Sequence, residues 1–395
     1  MIPSFSFARI PNIIFGAGKL NELYDIIPKF GRNILFVIGE NSLKKSGKWE
    51  EITSNLESKS FNYSLISISN EPAPTIIDEV ATKFRKKNVE LVVSIGGGSV
   101  TDAGKAISAM IPKEDSIKNY LEGVGSKTHD GKKIPYIAIP TTSGTGSEAT
   151  KNAVISEIGP KGFKKSLRHD NLIPNVALID PELMIPCPSS ISAACGMDAF
   201  TQLLEAYVSP KGSPMTDTLA FSGMKYINKN LLSACSSGAS NIEVRAAMAY
   251  ASLMSGITLA NAGLGIVHGL AGPIGGLFDI PHGVICGTLL AEATKMNIKK
   301  LQELGSSGKK GLRKYADIGV LLSGNKFVEQ GKIDEYCSIL VDTLDGWTQD
   351  LKLERLGKYG INIKNIEKIV EKTGLKNNPV NLNKKDVKTI LINRL

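Results

Sequence analysis

Five short apolar runs, separated by amphipathic stretches, occupy the first half of the chain and constrain its fold more than any other feature. Asn33 to Ile38 (NILFVI), Tyr63 to Ile68 (YSLISI), Glu90 to Ile95 (ELVVSI), Tyr136 to Ile139 (YIAI) and Val176 to Ile179 (VALI) are each followed within two residues by Gly, Asn, Pro or Asp. Short runs of this kind, closed by turn formers, read as strands buried on both faces of a parallel sheet. Amphipathic runs between them, such as Ile76 to Lys87, supply the helical crossovers. A doubly wound α/β domain is therefore expected. The rhythm stops after Asp180-Pro181, and from Ser189 onward the chain reads as helices: SAACGMDAFTQLLEAYVS, a long stretch from Met215, and Lys-rich amphipathic pieces toward the end. Pro181, Pro186 and Pro188 place the boundary near residues 181 to 188, dividing the chain into 1–185 (α/β) and 186–395 (all-helical).

Charge and cysteine usage exclude several function classes. Lys and Arg outnumber Asp and Glu by 47 to 38, a net charge of +9, but with only 6% aromatic residues this diffuse excess argues for an anionic small molecule rather than nucleic acid. Cys187, Cys195, Cys235, Cys286 and Cys337 are odd in number, with no CxxC pair, so neither a disulfide framework nor a thiolate zinc site is expected, and a reducing cytoplasm is. The start, MIPSFSFARIPNIIF, lacks the pattern of a secretory signal. Ala246 to Phe278 carries no Asp, Glu, Lys or Arg and is long enough to cross a bilayer. Its seven glycines, Pro273, Asn261 and His268 instead favour a packed internal helix pair, and no membrane partner is expected.

Two polar loops carry the first chemistry. Gly96-Gly97-Gly98-Ser99 joins the run ELVVSI to the helical pattern VTDAGKAISAM, so amides at a helix start face the strand's carboxyl end, as a phosphate cradle requires. The Walker A spacing fails, because five residues separate Gly98 from Gly104-Lys105 and Ala106 follows; GxGxxG is absent as well. The second loop, Pro140-Thr141-Thr142-Ser143-Gly144-Thr145-Gly146-Ser147-Glu148, follows YIAI and offers hydroxyls and amides suited to a diphosphate, a ribose or a nicotinamide amide. Together they mark a dinucleotide crevice.

The ordered set GGGSVTDAGKAI, IPTTSGTGSEAT, VALIDPEL, GMDAF, NAGLGIVHGLAGPIGG and IPHGV resembles the iron-containing (group III) alcohol dehydrogenase family over essentially the whole chain. The resemblance implies an N-terminal nucleotide-binding domain, an all-helical metal-binding domain and an active site between them. It further implies hydride transfer between NAD(P)(H) and a metal-polarised carbonyl of a small alcohol/aldehyde pair, with a homodimer as an open option. Asp198, His268 and His282 match the family's metal ligands and are the expected catalytic centre. Where the family has a His four residues after the Asp, this chain has Gln202, which can still share a helix face with Asp198 and offer a neutral oxygen. Iron(II) is the first expectation, with zinc or manganese as alternatives. Taken alone, His268 reads as a hydrogen-bonded core residue and His282 as a turn residue; His129 and His169 match no ligand position and read as surface or loop residues.

Gly272 replaces a second family His near the nicotinamide, which leaves space and points to protonation through water. The dinucleotide is expected to meet Gly39, Asn41, Ser42, Gly96, Gly97, Gly98, Ser99, Asp102, Thr141, Thr142, Thr145, Ser147 and Lys164, the last matching a family lysine at the nicotinamide ribose. Gly39 stands where NAD-using relatives carry Asp; with Lys44 and Lys45 nearby and Glu40 opposing, NADP(H) is slightly favoured over NAD(H). Lys161, Lys164, Lys165 and Arg168 read equally well as a solvated loop. Two rivals stay open: a maleylacetate-reductase-like enzyme that needs no metal, and a nucleotide-binding relative without catalysis.

Overall fold

The computed structural model describes residues 2–395. In the first half the elements run β1 (Asn12–Phe15), α1 (Leu23–Ile26), β2 (Asn33–Gly39), α2 (Ser42–Lys45), α3 (Lys48–Ser58), β3 (Asn62–Ile68), α4 (Pro74–Phe84), β4 (Leu91–Gly96), α5 (Gly98–Met110), β5 (Tyr136–Pro140), β6 (Asn152–Glu157), β7 (Phe163–Arg168) and β8 (Val176–Ile179). Six of the strands form one parallel sheet in the order β1-β8-β5-β4-β2-β3. Each central strand is buried on both faces: Leu35, Val37 and Val92 meet one apolar layer, Ile34, Phe36, Ile38 and Val93 the other. That double burial is why the five runs are apolar throughout rather than alternating.

The sequence reading missed β1, which is short and half-exposed, and the antiparallel pair β6 and β7. Lys161 to Arg168 is therefore no solvated loop. Phe163 to Arg168 form β7, and the Lys164 side chain is 7% exposed. Pairing explains it: Phe163 to Arg168 lie antiparallel along Asn152 to Glu157, and Leu167 is packed into the core of the α/β half.

After β8 the chain is helical: α6 (Ser189–Val208), α7 (Pro214–Ala234), α8 (Ile242–Ala262), α9 (Ile266–Leu277), α10 (His282–Glu303), α11 (Lys309–Ser323), α12 (Ile333–Asp350), α13 (Ile363–Lys372) and α14 (Lys384–Ile392). The uncharged segment becomes α8 and α9, bent by 99° where Gly263 takes a left-handed φ of 71°. Among the described residues no single helix is long and apolar enough to cross a membrane. The two halves touch through backbone. A Cβ at Gly256 of α8 would lie 2.1 Å from the Gly146 carbonyl oxygen, and one at Gly162, beside β7, would lie 2.0 Å from the Gly276 carbonyl oxygen of α9. At both places only glycine fits.

Candidate active site

The crevice lies where three neighbouring strands end. Gly39 closes β2, Gly96 closes β4 and Pro140 closes β5, and these strands are adjacent in the sheet, so their following loops share one rim. Open α/β sheets bind ligands at this edge. Gly97, Gly98 and Ser99 are half-buried at the start of α5, and the Thr141 amide donates to the Gly96 carbonyl at 2.9 Å, tying the two loops together. Gly98 lies so close to Thr145 that a Cβ there would sit 2.6 Å from the threonine methyl. Thr142, also half-buried, faces Gly97; Asn41 and Ser42 are exposed beyond β2.

Asp102 and Ser147, expected against the cofactor, are buried and bonded to each other: Ser147 Oγ donates to Asp102 Oδ1 at 2.5 Å, and the Val154 amide donates to the other carboxylate oxygen at 3.1 Å. Lys105 completes the group. Fully buried, its ammonium donates to the Ser147 carbonyl, Thr150 Oγ1 and the Asn152 carbonyl, each at 2.8 Å. Burial lowers its pKa to about 8, with Asp102 and Glu148 opposing. These side chains hold the second loop against α5, an arrangement hidden in the sequence because a buried Lys is rare.

The second cluster is built by α6, α9 and α10. Asp198, Gln202 and Glu205 repeat at helical spacing along α6; His268 sits in the first turn of α9 and His282 opens α10 after Pro281. Asp198 Oδ1 lies 3.4 Å from His268 Nε2 and 3.7 Å from His282 Nε2. Burial opposes ionisation of Asp198, but His282 and His268 hold it low, at about 2; burial, with Lys164 nearby, pushes His282 down to about 4. A carboxylate and two imidazoles of this kind suit a divalent metal. Asp198 Oδ1 and His282 Nδ1 are buried without a hydrogen-bond partner, and a cation at the convergence point would satisfy the first.

Two further side chains join this cluster. Cys286 brings its Sγ to 3.7 Å from both His268 Nε2 and His282 Nε2, and its place four residues after His282 on one helix is the sequence signal for it. Glu205 accepts from His268 Nδ1 at 2.7 Å and from the Val267 amide at 2.7 Å, fixing the tautomer that aims Nε2 inward. Gln202 donates its Nε2 to Asp198 Oδ2 at 3.2 Å. His129, read as a surface or loop residue, lies in a loop but is 2% exposed, with Nδ1 accepting from the Gly131 amide; His169 is half-buried.

The loop and the cluster are neighbours. A Cβ at Gly144 would lie 2.7 Å from Cys195 Cβ, on the helix turn before Asp198, and Lys164 reaches in from β7 to pair with Glu71 at 3.0 Å. Residues 11–181 match the iron-containing alcohol dehydrogenase family, and residues 192–395 match its C-terminal part, described as Fe-containing alcohol dehydrogenase family, C-terminal. The chain belongs to this family. Within the iron-containing alcohol dehydrogenases it is 32% identical to long-chain-alcohol dehydrogenase 1 of Geobacillus thermodenitrificans over 98% of this chain and 96% of the relative. It is 35% identical to the NAD-dependent methanol dehydrogenase of Bacillus methanolicus over 69% of this chain and 71% of that one. An archaeal halo-thermophilic alcohol dehydrogenase from a Red Sea brine pool superposes with a TM-score of 0.89 at 28% identity, covering 100% of this chain and 99% of that one. A 1,3-propanediol oxidoreductase superposes with a TM-score of 0.87 at 27% identity, both chains fully covered. The enzyme is an alcohol dehydrogenase, an oxidoreductase acting on CH–OH groups, with a candidate Asp/His/His/Cys metal site.

If Glu205 orients His268, Glu205→Gln places an amide NH2 against one of two donors and is expected to weaken metal binding by roughly 10- to 100-fold. Competition against a chromophoric chelator measures it. Unchanged affinity at wild-type fold would remove Glu205 from this role.

Proposed function

We propose that the enzyme interconverts a small primary or secondary alcohol with its aldehyde or ketone, using NAD(P)(H) held by residues 1–185 and a divalent metal held by Asp198, His268 and His282 within residues 186–395. The convergence of those three side chains on one buried point, beside the loop Thr141 to Ser147, carries the reading. Bound there, the metal supplies Lewis-acid polarisation of the substrate oxygen and the dinucleotide supplies or accepts the hydride. The chain's own part is positioning. Gly96 to Ser99 present amides to the diphosphate, Thr141, Thr142 and Thr145 line the rim, and Lys164, paired to Glu71, reaches toward the nicotinamide ribose. Gly272 faces open space, the nearest atom to an added Cβ being the Lys164 carbonyl oxygen at 3.8 Å, so the substrate end is roomy and water is the proton carrier. Chelator treatment with metal analysis and an aldehyde panel tests this; full turnover in metal-free protein would favour a maleylacetate-reductase-like activity, and cofactor binding without turnover a non-catalytic relative.

Cofactor choice rests on the end of β2. A Cβ at Gly39 meets only Ser42 Oγ at 3.6 Å and Val100 at 3.9 Å, so the place is open, and the exposed Lys44 ammonium lies 3.4 Å from Ser67 Oγ. We read room and positive charge for a 2′-phosphate, favouring NADP(H). Gly39→Asp fits without strain and sets a carboxylate against that phosphate, at a cost of about 1 to 4 kcal/mol for a like-charge contact. The ratio of kcat/KM for NADPH over NADH is expected to fall at least about fivefold, since 1.4 kcal/mol is about one decade. An unchanged ratio would mean that Gly39 does not face the adenosine ribose.

A further inference from the structure

Four atoms converge between α6, α9 and α10: Asp198 Oδ1, His268 Nε2, His282 Nε2 and Cys286 Sγ, all within 4.8 Å of one another. A tetrahedral zinc with bonds of about 2.0 Å to nitrogen and oxygen and about 2.3 Å to sulfur has N···O edges of about 3.3 Å and N···S edges of about 3.5 Å. The observed N···O separations are 3.4 and 3.7 Å, and both N···S separations are 3.7 Å. Each of these four edges is within a few tenths of an ångström of that figure. Gln202, the alternative fourth donor, is held differently. Its Nε2 binds Asp198 Oδ2, the carboxylate oxygen that faces away from the two imidazoles, and although Gln202 Oε1 is buried without a partner, a neutral amide oxygen is the weaker donor.

We propose that the Cys286 thiolate is the fourth protein ligand of the metal, giving an Asp-His-His-Cys set that selects zinc over iron(II), with Gln202 bracing Asp198 from outside. This rests on the reading that Asp198, His268 and His282 hold a metal. On loading, the S–H bond breaks, a metal–sulfur bond forms and the proton leaves to solvent; nothing is oxidised or reduced. Sulfur is the soft donor of the set, and soft donors favour zinc, whereas an oxygen and nitrogen set leaves the choice among divalent ions more open. His268 is fixed by Glu205 and His282 is fixed by the start of α10, so Cys286, one turn further along α10, is already placed on the same face.

Cobalt(II) substitution of the chelator-stripped full-length protein tests it. Wild type is expected to show a near-ultraviolet thiolate-to-cobalt charge-transfer band, saturating at one metal per chain. Cys286→Ser should lose that band while keeping the visible ligand-field bands of bound cobalt, with zinc held about tenfold or more weakly. Cys286→Asn serves if the serine variant does not fold, and Gln202→Ala should keep the band. A band that survives in both Cys286 variants, or cobalt bound by wild type with no such band, overturns the cysteine assignment and leaves the metal site standing. Loss of the band in Gln202→Ala with cobalt still bound would also overturn the division of roles. Failure of wild type to bind cobalt or zinc at all would overturn the metal reading itself.

Discussion

His268→Ala is expected to strip the metal and the turnover together. The side chain is 5% exposed, aims Nε2 at Asp198 Oδ1 across 3.4 Å, and donates the opposite nitrogen's proton to Glu205. On the proposed reading, removing it deletes one metal ligand and leaves Asp198 facing a hole. Loss of an outer partner alone weakens metal sites by roughly 10- to 100-fold, so loss of the ligand is expected to exceed about 100-fold in affinity and to lower kcat/KM in step. Metal per chain and turnover should be measured on the same preparation, with imidazole added back to refill the cavity. Wild-type metal occupancy in the variant would refute the ligand role; normal occupancy lost only through misfolding is excluded by an unchanged circular dichroism spectrum.

Lys105→Met is expected to be the most destabilising single change in the α/β half. The methionine has the length of the aliphatic stem but none of the donors, so the Ser147 and Asn152 carbonyls, Thr150 and the Asp102 carboxylate lose their cation at once. Burial already pushes Asp102 up, and Lys105, the Ser147 hydroxyl and the Val154 amide oppose it. Leaving a buried acceptor without its donor costs about 1 to 3 kcal/mol, and several are orphaned here together. Denaturant unfolding should show the loss, and Lys105→Met combined with Asp102→Asn should recover part of it. A variant as stable as wild type would mean that the ammonium contributes nothing net. The same change should loosen the loop Thr141 to Ser147, raising KM for the dinucleotide in the fraction that remains folded.

The sheet was legible because burial on both faces leaves an unmistakable apolar run, and the two loops because they follow such runs directly. What stayed hidden shares a physical cause: it depends on partners distant in sequence. β6 and β7 make each other, and FKKSLR alone looks like a basic loop until its antiparallel partner Asn152 to Glu157 lies beside it. Lys105 looks like a helix-surface lysine, and only the loop folded over it, more than forty residues later, supplies its acceptors. Asp198, His268 and His282 were recognised through motif context. Cys286 has no paired cysteine to mark it, and only its helical spacing from His282 points to the cluster. Glu205 was noticed on the right helix, but nothing local tells a carboxylate that orients an imidazole from one at the surface.

The glycine contacts between the halves have a mechanical meaning. Gly146 against Gly256 and Gly162 against Gly276 are backbone-on-backbone, with no side chain between to bend or change rotamer. A larger residue at either contact therefore cannot be absorbed by a rotamer change: it must displace the backbone that carries the loop Thr141 to Ser147 at the first contact, or the backbone that leads into β7 and Lys164 at the second.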